Sequence, residues 1–230
     1  PPGGVADGHE RAWLHDRFLP PDVLPAQWMD DVGERGDFLD RRYRTVGVNS
    51  RGRGADERVD ILLAADGKLA EDAGPVAVSL VKTIRVEASG CTVYVRWALE
   101  FDRALTQSVD FAVECNLSFA SAVVDEGWIQ TPDGERHRCD ATIVGAAGST
   151  LRFGLTARGA VGYVHADAPV RFDTAPIYTL AMPVGKPANR AFQGSALMVR
   201  LNLAAGTQLA KLSLEIASQP VHGAREETDD

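Results

Sequence analysis

Residues 111–119 read Phe-Ala-Val-Glu-Cys-Asn-Leu-Ser-Phe. Successive side chains of a strand point to opposite faces. Phe111, Val113, Cys115, Leu117 and Phe119 therefore share an apolar face, and Glu114, Asn116 and Ser118 share the other. The same two-residue period runs through Val93, Val95, Trp97, Leu99 and Phe101, and through Leu197, Val199, Leu201 and Leu203. Leu151, Phe153 and Leu155 form a shorter set, as do Val59, Ile61 and Leu63; residues 76–87 and 212–216 add two further strands. Turn chemistry separates the runs at Ala65-Asp66-Gly67-Lys68, Ala88-Ser89-Gly90, Pro132-Asp133-Gly134-Glu135 and Ala205-Gly206. No helical period follows about residue 35. The pattern predicts an all-β, mostly antiparallel protein.

Length and charge narrow this picture. The chain has 230 residues and no Pro/Ser/Gly-rich linker between residues 36 and 221, which predicts one domain over 9–221. Residues 1–8, opening Pro1-Pro2-Gly3-Gly4, read as a linker remnant, and 222–230 as a disordered acidic tail. Such an opening suits a piece of a longer protein. A formal charge of −8 without a basic stripe argues against a nucleic-acid partner. Arg41-Arg42-Tyr43-Arg44 and Arg51-Gly52-Arg53 are local exceptions, read as solvated strand and loop charges. There is no run of about 18 apolar residues, so no membrane span is expected. The start has no signal-peptide layout. Cys91, Cys115 and Cys139 are odd in number and form no CxxC pair, which predicts reduced thiols and a cytoplasmic protein.

The polar face of residues 111–119 offers carboxylate, amide and hydroxyl groups. That chemistry suits a sugar, and it equally suits an ordinary wet sheet surface. Glycoside hydrolysis needs two flanking carboxyl groups. Glu100 and Glu114 are the nearest pair, and two acids on a wet face is the simpler reading. A mutarotase-like reaction needs an acid and a base about a sugar ring, for which His165 with Glu114 is the one nomination. His137, Cys139 and Asp140 have metal-ligand residue types but lack the paired spacing of a zinc site, so no metal or other cofactor is expected. There is no Gly-x-Ser-x-Gly, no P-loop and no Gly-x-Gly-x-x-Gly before a helix. Trp128, Tyr178 and Tyr94 are candidate stacking platforms, while alternation puts Trp97 in the core. Ala12, Trp13, Leu14, Phe18, Leu19, Val23, Leu24 and Trp28 supply apolar surface that either meets a partner or folds onto the chain's own sheets.

The run Arg11-Ala12-Trp13-Leu14-His15-Asp16-Arg17-Phe18-Leu19 resembles the opening of the carboxy-terminal β domain of glycoside hydrolase family 57. That family includes 4-α-glucanotransferases and α-amylases. The likeness continues through Gly36-Asp37-Phe38 to Tyr43, the Glu114-x-Asn116 strand, Pro176-Ile177-Tyr178-Thr179 and Gln193-Gly194. The resemblance implies an antiparallel β-supersandwich of the galactose mutarotase type, following a catalytic barrel that this chain does not contain. It therefore carries over no catalytic residue. It implies a non-catalytic accessory domain that packs against and shapes the catalytic cleft; motif position and strand parity nominate Glu114, Asn116, Tyr178 and Gln193 as polar contacts to α-glucan, with Trp128 as a stacking surface. The alternatives are a free-standing sugar epimerase and a plain structural or dimerisation module. The sequence departs from the family at Leu180-Ala181-Met182-Pro183-Val184, where relatives carry small hydroxyl residues and an acid.

Overall fold

Alternating β-branched and aromatic residues leave the chain little choice but extended structure, since only a pleated strand turns every second side chain to one side. The computed structural model describes residues 13–88, 90–119, 124–156, 159–181 and 189–220. Its strands are β1 (His15–Leu19), β2 (Arg44–Arg51), β3 (Arg58–Leu69), β4 (Val76–Glu87), β5 (Thr92–Phe101) and β6 (Val109–Leu117). They continue with β7 (Gly127–Gln130), β8 (Arg136–Arg138), β9 (Ile143–Leu155), β10 (Ala160–Ala181), β11 (Asn189–Leu203) and β12 (Leu209–Pro220). No described helix is long and apolar enough to cross a membrane.

The strands join in the order β1-β6-β11-β10-β12-β5-β4-β3-β2, with β9, β7 and β8 branching from β10. Each pairing is antiparallel. β10 is the hub. Its residues 160–166 pair with β12, whereas residues 171–181 pair with β11. The long strand thus passes from one layer to the other. One layer is β2-β3-β4-β5-β12 with the start of β10, and the second is the end of β10 with β11-β6-β1. β5 and β6 stand far apart along this path, yet Trp97 and Phe111 meet at 6.2 Å between ring centres. Only face-to-face packing of the two layers allows that contact.

Between the layers lie Val95, Trp97, Leu99 and Phe101 from β5 and Phe111, Val113, Cys115 and Leu117 from β6, all buried as alternation predicts. Phe18 of β1 joins them, with its ring 5.5 Å from Phe111, 5.4 Å from Phe38 and 6.2 Å from Phe101. The architecture is the antiparallel β-supersandwich.

Two local readings change. Ala65-Asp66-Gly67-Lys68 is not a turn: it lies inside β3, with Ala65 opposite Leu80 and Gly67 opposite Val78. The glycine is there for close approach. A Cβ on Gly67 would stand 2.6 Å from the Phe38 ring. Gly134 and Gly206 do sit in turns, with φ of 92° and 91°, a region that disfavours other residues. Ser89, at the centre of a third expected turn, lies outside the described residues. The second change is a one-turn helix, α1 (Pro25–Met29), which the alternation does not predict. Pro25 suits a first turn, where its missing N–H has no intrahelical partner to lose. The Leu24 backbone N–H donates to the Gln27 side chain at 2.8 Å. The helix carries Trp28, fully buried, onto the outer face of the second layer, where it clusters with Leu19, Val23, Ala112, Ala175, Ala196 and Met198. The opening segment therefore folds mainly onto its own sheets. Trp13 and Leu24 stay exposed, and Ala12 lies outside the described residues.

Candidate functional site

The polar face of β6 is closed at Glu114, while Asn116 is half-buried and Ser118 beyond the strand is exposed. Glu114 has no solvent exposure, which corrects the expectation of an accessible carboxylate. Arg17 Nη1 donates to Glu114 Oε2 at 3.1 Å and to the Trp28 carbonyl at 2.9 Å. The same guanidinium donates to Glu34 at 2.9 Å and to Asp31 at 3.0 Å. Burial raises the Glu34 pKa against the opposing pull of Arg17. Further along this face, Arg200 donates to Asp110 and Asp173, each at 2.8 Å, and to the carbonyls of Val23 at 2.8 Å and Pro20 at 2.7 Å. Arg171 adds bonds to Asp110 and the Pro21 carbonyl. Arg17, Arg200 and Arg171 thus hold the segment after β1 against the sheet by satisfying both sheet carboxylates and carbonyls of that segment. A third buried cluster, on the inner side, ties Leu14 and β1 to the other layer. Lys82 pairs with Asp16 at 2.6 Å and donates to the Leu14 carbonyl at 2.8 Å. Asp16 also accepts from Trp97 Nε1 at 2.8 Å and from the Tyr43 hydroxyl. Burial, then the Asp16 charge, pushes the Tyr43 phenol up.

The other nominated residues do not gather around Glu114. Asn116 is half-buried on β6. Trp128 lies on β7 over Gly154, where a Cβ would come within 2.6 Å of the indole, and the Arg136 guanidinium sits 4.2 Å from its ring. Tyr178, 38% exposed, meets Phe192 edge-on at 5.9 Å. Gln193 is exposed beside it, where the β10–β11 register shifts. Glu100 is exposed on the opposite layer, so the two acids flank no common site. Asp140 is paired with Arg138 at 3.0 Å and Cys139 is buried against Gly127. Among the described residues no three metal-ligating side chains come together. Met182, Pro183 and Val184 of the family departure lie outside the described residues, as do 1–12 and 221–230.

What the fold does assemble is a groove on the outer face of the first layer, with a volume of about 260 Å³. Strand register builds it. His165 of β10 stands opposite Glu215 of β12, Glu215 opposite Tyr94 of β5, Tyr94 opposite Arg85 of β4, and Arg85 opposite Asp60 of β3. One polar row therefore crosses five strands. A second row beside it runs Ser213, Arg96 and Thr83. Neighbours hold several of these groups in place. Arg85 Nε donates to Asp60 at 2.7 Å, and this bond holds the Asp60 carboxyl below its usual range. The Tyr163 hydroxyl donates to Glu215, which lifts the phenol to about 12. His165 Nδ1 is bonded to the Thr150 hydroxyl at 2.7 Å, and the Ser213 N–H donates to Asp167 at 2.9 Å. Arg96 closes no ion pair with a carboxylate among the described residues.

His165 and Tyr94 are nominated by the sequence, but Glu114 is not the histidine's partner. Glu215 and Arg96 are missed. The signal for them is the alternation of Ser213 and Glu215 with Leu212, Leu214 and Ile216, and of Arg96 with Val95 and Trp97, and nothing local sets it apart from that of Glu114.

Comparison with known proteins agrees with this fold. No curated protein matches. The 4-alpha-glucanotransferase of Thermococcus litoralis superposes with a TM-score of 0.67 at 14% identity, covering 92% of this chain and 28% of that one. A protein described as an aldose 1-epimerase candidate from Escherichia coli K12 gives 0.51 at 12% identity, covering 82% of this chain and 73% of that one. At such identities the likeness speaks for the fold alone, and this chain spans little more than a quarter of the glucanotransferase. Residues 5–180, well over half of the sequence, match the family described as alpha-amylase/4-alpha-glucanotransferase, C-terminal, and the chain belongs to that family.

Proposed function

We propose that this chain is a non-catalytic accessory domain of an α-glucan-active enzyme and that it packs against a catalytic portion of a longer chain. The observation carrying this reading is an uncovered corner of the core. On the inner face of the first layer, one row runs Leu214, Val95, Ile84, Ile61 and Val48 in register. Exposure climbs along it, from 1% at Leu214 and Val95 to 61% at Val48. The neighbouring row climbs from 8% at Ile216 to 43% at Val86. The apolar face thus continues past the edge of the second layer, beside a hollow of about 400 Å³ that Trp13, Leu39 and Leu63 help to line.

Arg42, Arg44, Arg51 and Arg53 border this corner, exposed and without an ion-paired carboxylate among the described residues. A second copy of the chain would bring arginine edge to arginine edge, which like-charge repulsion opposes. An apolar surface with an acidic rim, contributed by the catalytic portion, complements it. The test is amide hydrogen exchange on the isolated chain and on a longer chain that includes the catalytic portion. Slower exchange at residues 46–48 and 84–86 in the longer chain is the expected result. Equal rates would overturn the docking.

A second reading, a free-standing sugar epimerase, has one specific observation behind it, His165 directly opposite Glu215 in the groove. Such a reaction needs an acid and a base about the ring. Polarimetry of freshly dissolved α-D-glucose tests it. A rate no faster than buffer alone rejects it.

A further inference from the structure

We infer that the groove across β10, β12, β5, β4 and β3 is a binding site for a short neutral oligosaccharide, with Tyr94 as the surface under the sugar ring and Arg96 as its principal hydrogen-bond donor. The charge balance selects the ligand. Asp60, Asp167 and Glu215 line the groove with Arg85 and Arg96, so its carboxylates outnumber its guanidinium groups by one. That excess of carboxylates weighs against a phosphate or carboxylate ligand. A ligand without charge, rich in groups that both donate and accept, meets a partner at each position.

The remaining hydrogen-bonding capacity fits that description. Arg96 has five donors in a rigid fork and no carboxylate among the described residues to hold them. His165 has Nδ1 engaged by Thr150, so Nε2 is left for a ligand. Glu215 and Asp167 each have accepting capacity beyond the one bond that fixes them. Tyr94, 37% exposed in the centre of the polar row, supplies an aromatic surface for the C–H face of a pyranose. Tyr94, Arg96, His165 and Glu215 stand at paired strand positions rather than on loops, which fixes their spacing before a ligand arrives. The volume of about 260 Å³ is close to the lower end of small-molecule sites, roughly 300 Å³.

The choice of α-glucan as the sugar rests on the accessory-domain reading, whereas the site itself does not. The experiment is calorimetric titration of the 230-residue chain with maltotetraose, with inorganic phosphate as a charged control. Saturable binding is expected, weakened at least about tenfold by Arg96→Ala or by Tyr94→Ala, with Trp128→Ala and Tyr178→Ala indistinguishable from the parent. Both groove side chains are exposed, so the melting temperature of their variants should not move. Amide shifts of the unaltered chain, confined to residues 94–96 and 213–215 on adding sugar, give a reading that needs no variant. No saturable heat up to millimolar maltotetraose would overturn the proposal. So would binding that survives both groove changes but is lost with Trp128 or Tyr178, or displacement of the sugar by phosphate. Docking at the apolar corner is read by hydrogen exchange on the other side of the same layer, so either idea can fail without the other.

Discussion

The two outer faces of the sandwich begin from the same kind of sequence and end differently. On the second layer, β6 and β11 present Asp110, Glu114 and Arg200, and a loop and a one-turn helix cover them. On the first layer, β12, β5 and β4 present Glu215, Tyr94, Arg96 and Arg85, and nothing described covers them. The covered face places its charges around the guanidinium groups of Arg17, Arg200 and Arg171, each bonded to carboxylate and to carbonyls of the covering segment. The open face spreads its charges along rows that water can reach. A buried charge must be fully paired to be tolerated, whereas a surface pair contributes little. The charged residues of the covered face fasten one piece of the fold to another, whereas those of the open face are reached by solvent.

That contrast can be broken most sharply at Arg17. Arg17→Met removes the guanidinium that bonds Glu114, Glu34 and Asp31 inside the fold, and should lower unfolding stability by about 3–5 kcal/mol, measured by urea denaturation. The double change Arg17→Met with Glu114→Leu should recover part of the loss, since the buried carboxylate that the guanidinium meets is then gone as well. A loss at Arg17 below about 1 kcal/mol would mean that the cover is not fastened this way. Next in size is Met198→Ala, which removes a buried side chain from beneath Trp28 and its neighbours and should cost about 2 kcal/mol or more.

On the open face, Asp60→Asn should cost less than about 1 kcal/mol, because its pair with Arg85 is partly exposed. The sign of its pH dependence follows from the depressed carboxyl. The contribution is present above the ordinary Asp value of 3.8 and fades as pH falls through the lower folded value. The stabilities of the Asp60→Asn variant and of the parent should therefore converge in acid, as thermal melts across pH would show. The smallest effect is chemical. Burial, with the Glu114 charge adding to it, lifts the Cys115 thiol to about 12, and burial lifts Cys139 as well. At about pH 8 a thiol reagent should modify exposed Cys91 first in the folded chain. Rapid labelling of Cys115 would mean that the two layers separate readily.

Much of this was legible residue by residue. The face of Phe111, Val113, Cys115 and Leu117 is read correctly because a strand's inward positions are set by a local period of two. Residues 76–87 become β4 for the same reason. Gly67 is misread, since a glycine that admits Phe38 looks in sequence like a glycine that makes a turn. Glu114 is misread, because alternation says that a side chain faces away from the core but not whether another segment lies over it. The helix at Pro25–Met29 is too short to show a period at all.

The sequence alone determined the strand content, the inward-facing residues and, through the motifs spread from Arg11 to Gly194, the family. Those properties depend on neighbours within a few residues or on matching runs, and both are written along the chain. Only the tertiary structure decided that one polar face is covered and the other open, that His165 faces Glu215 rather than Glu114, and that the apolar face of β2, β3 and β4 runs past its cover. These follow from strand order, register and the passage of β10 between layers. Each joins residues far apart in the chain, and a two-residue period carries no information about which strand comes to lie beside which.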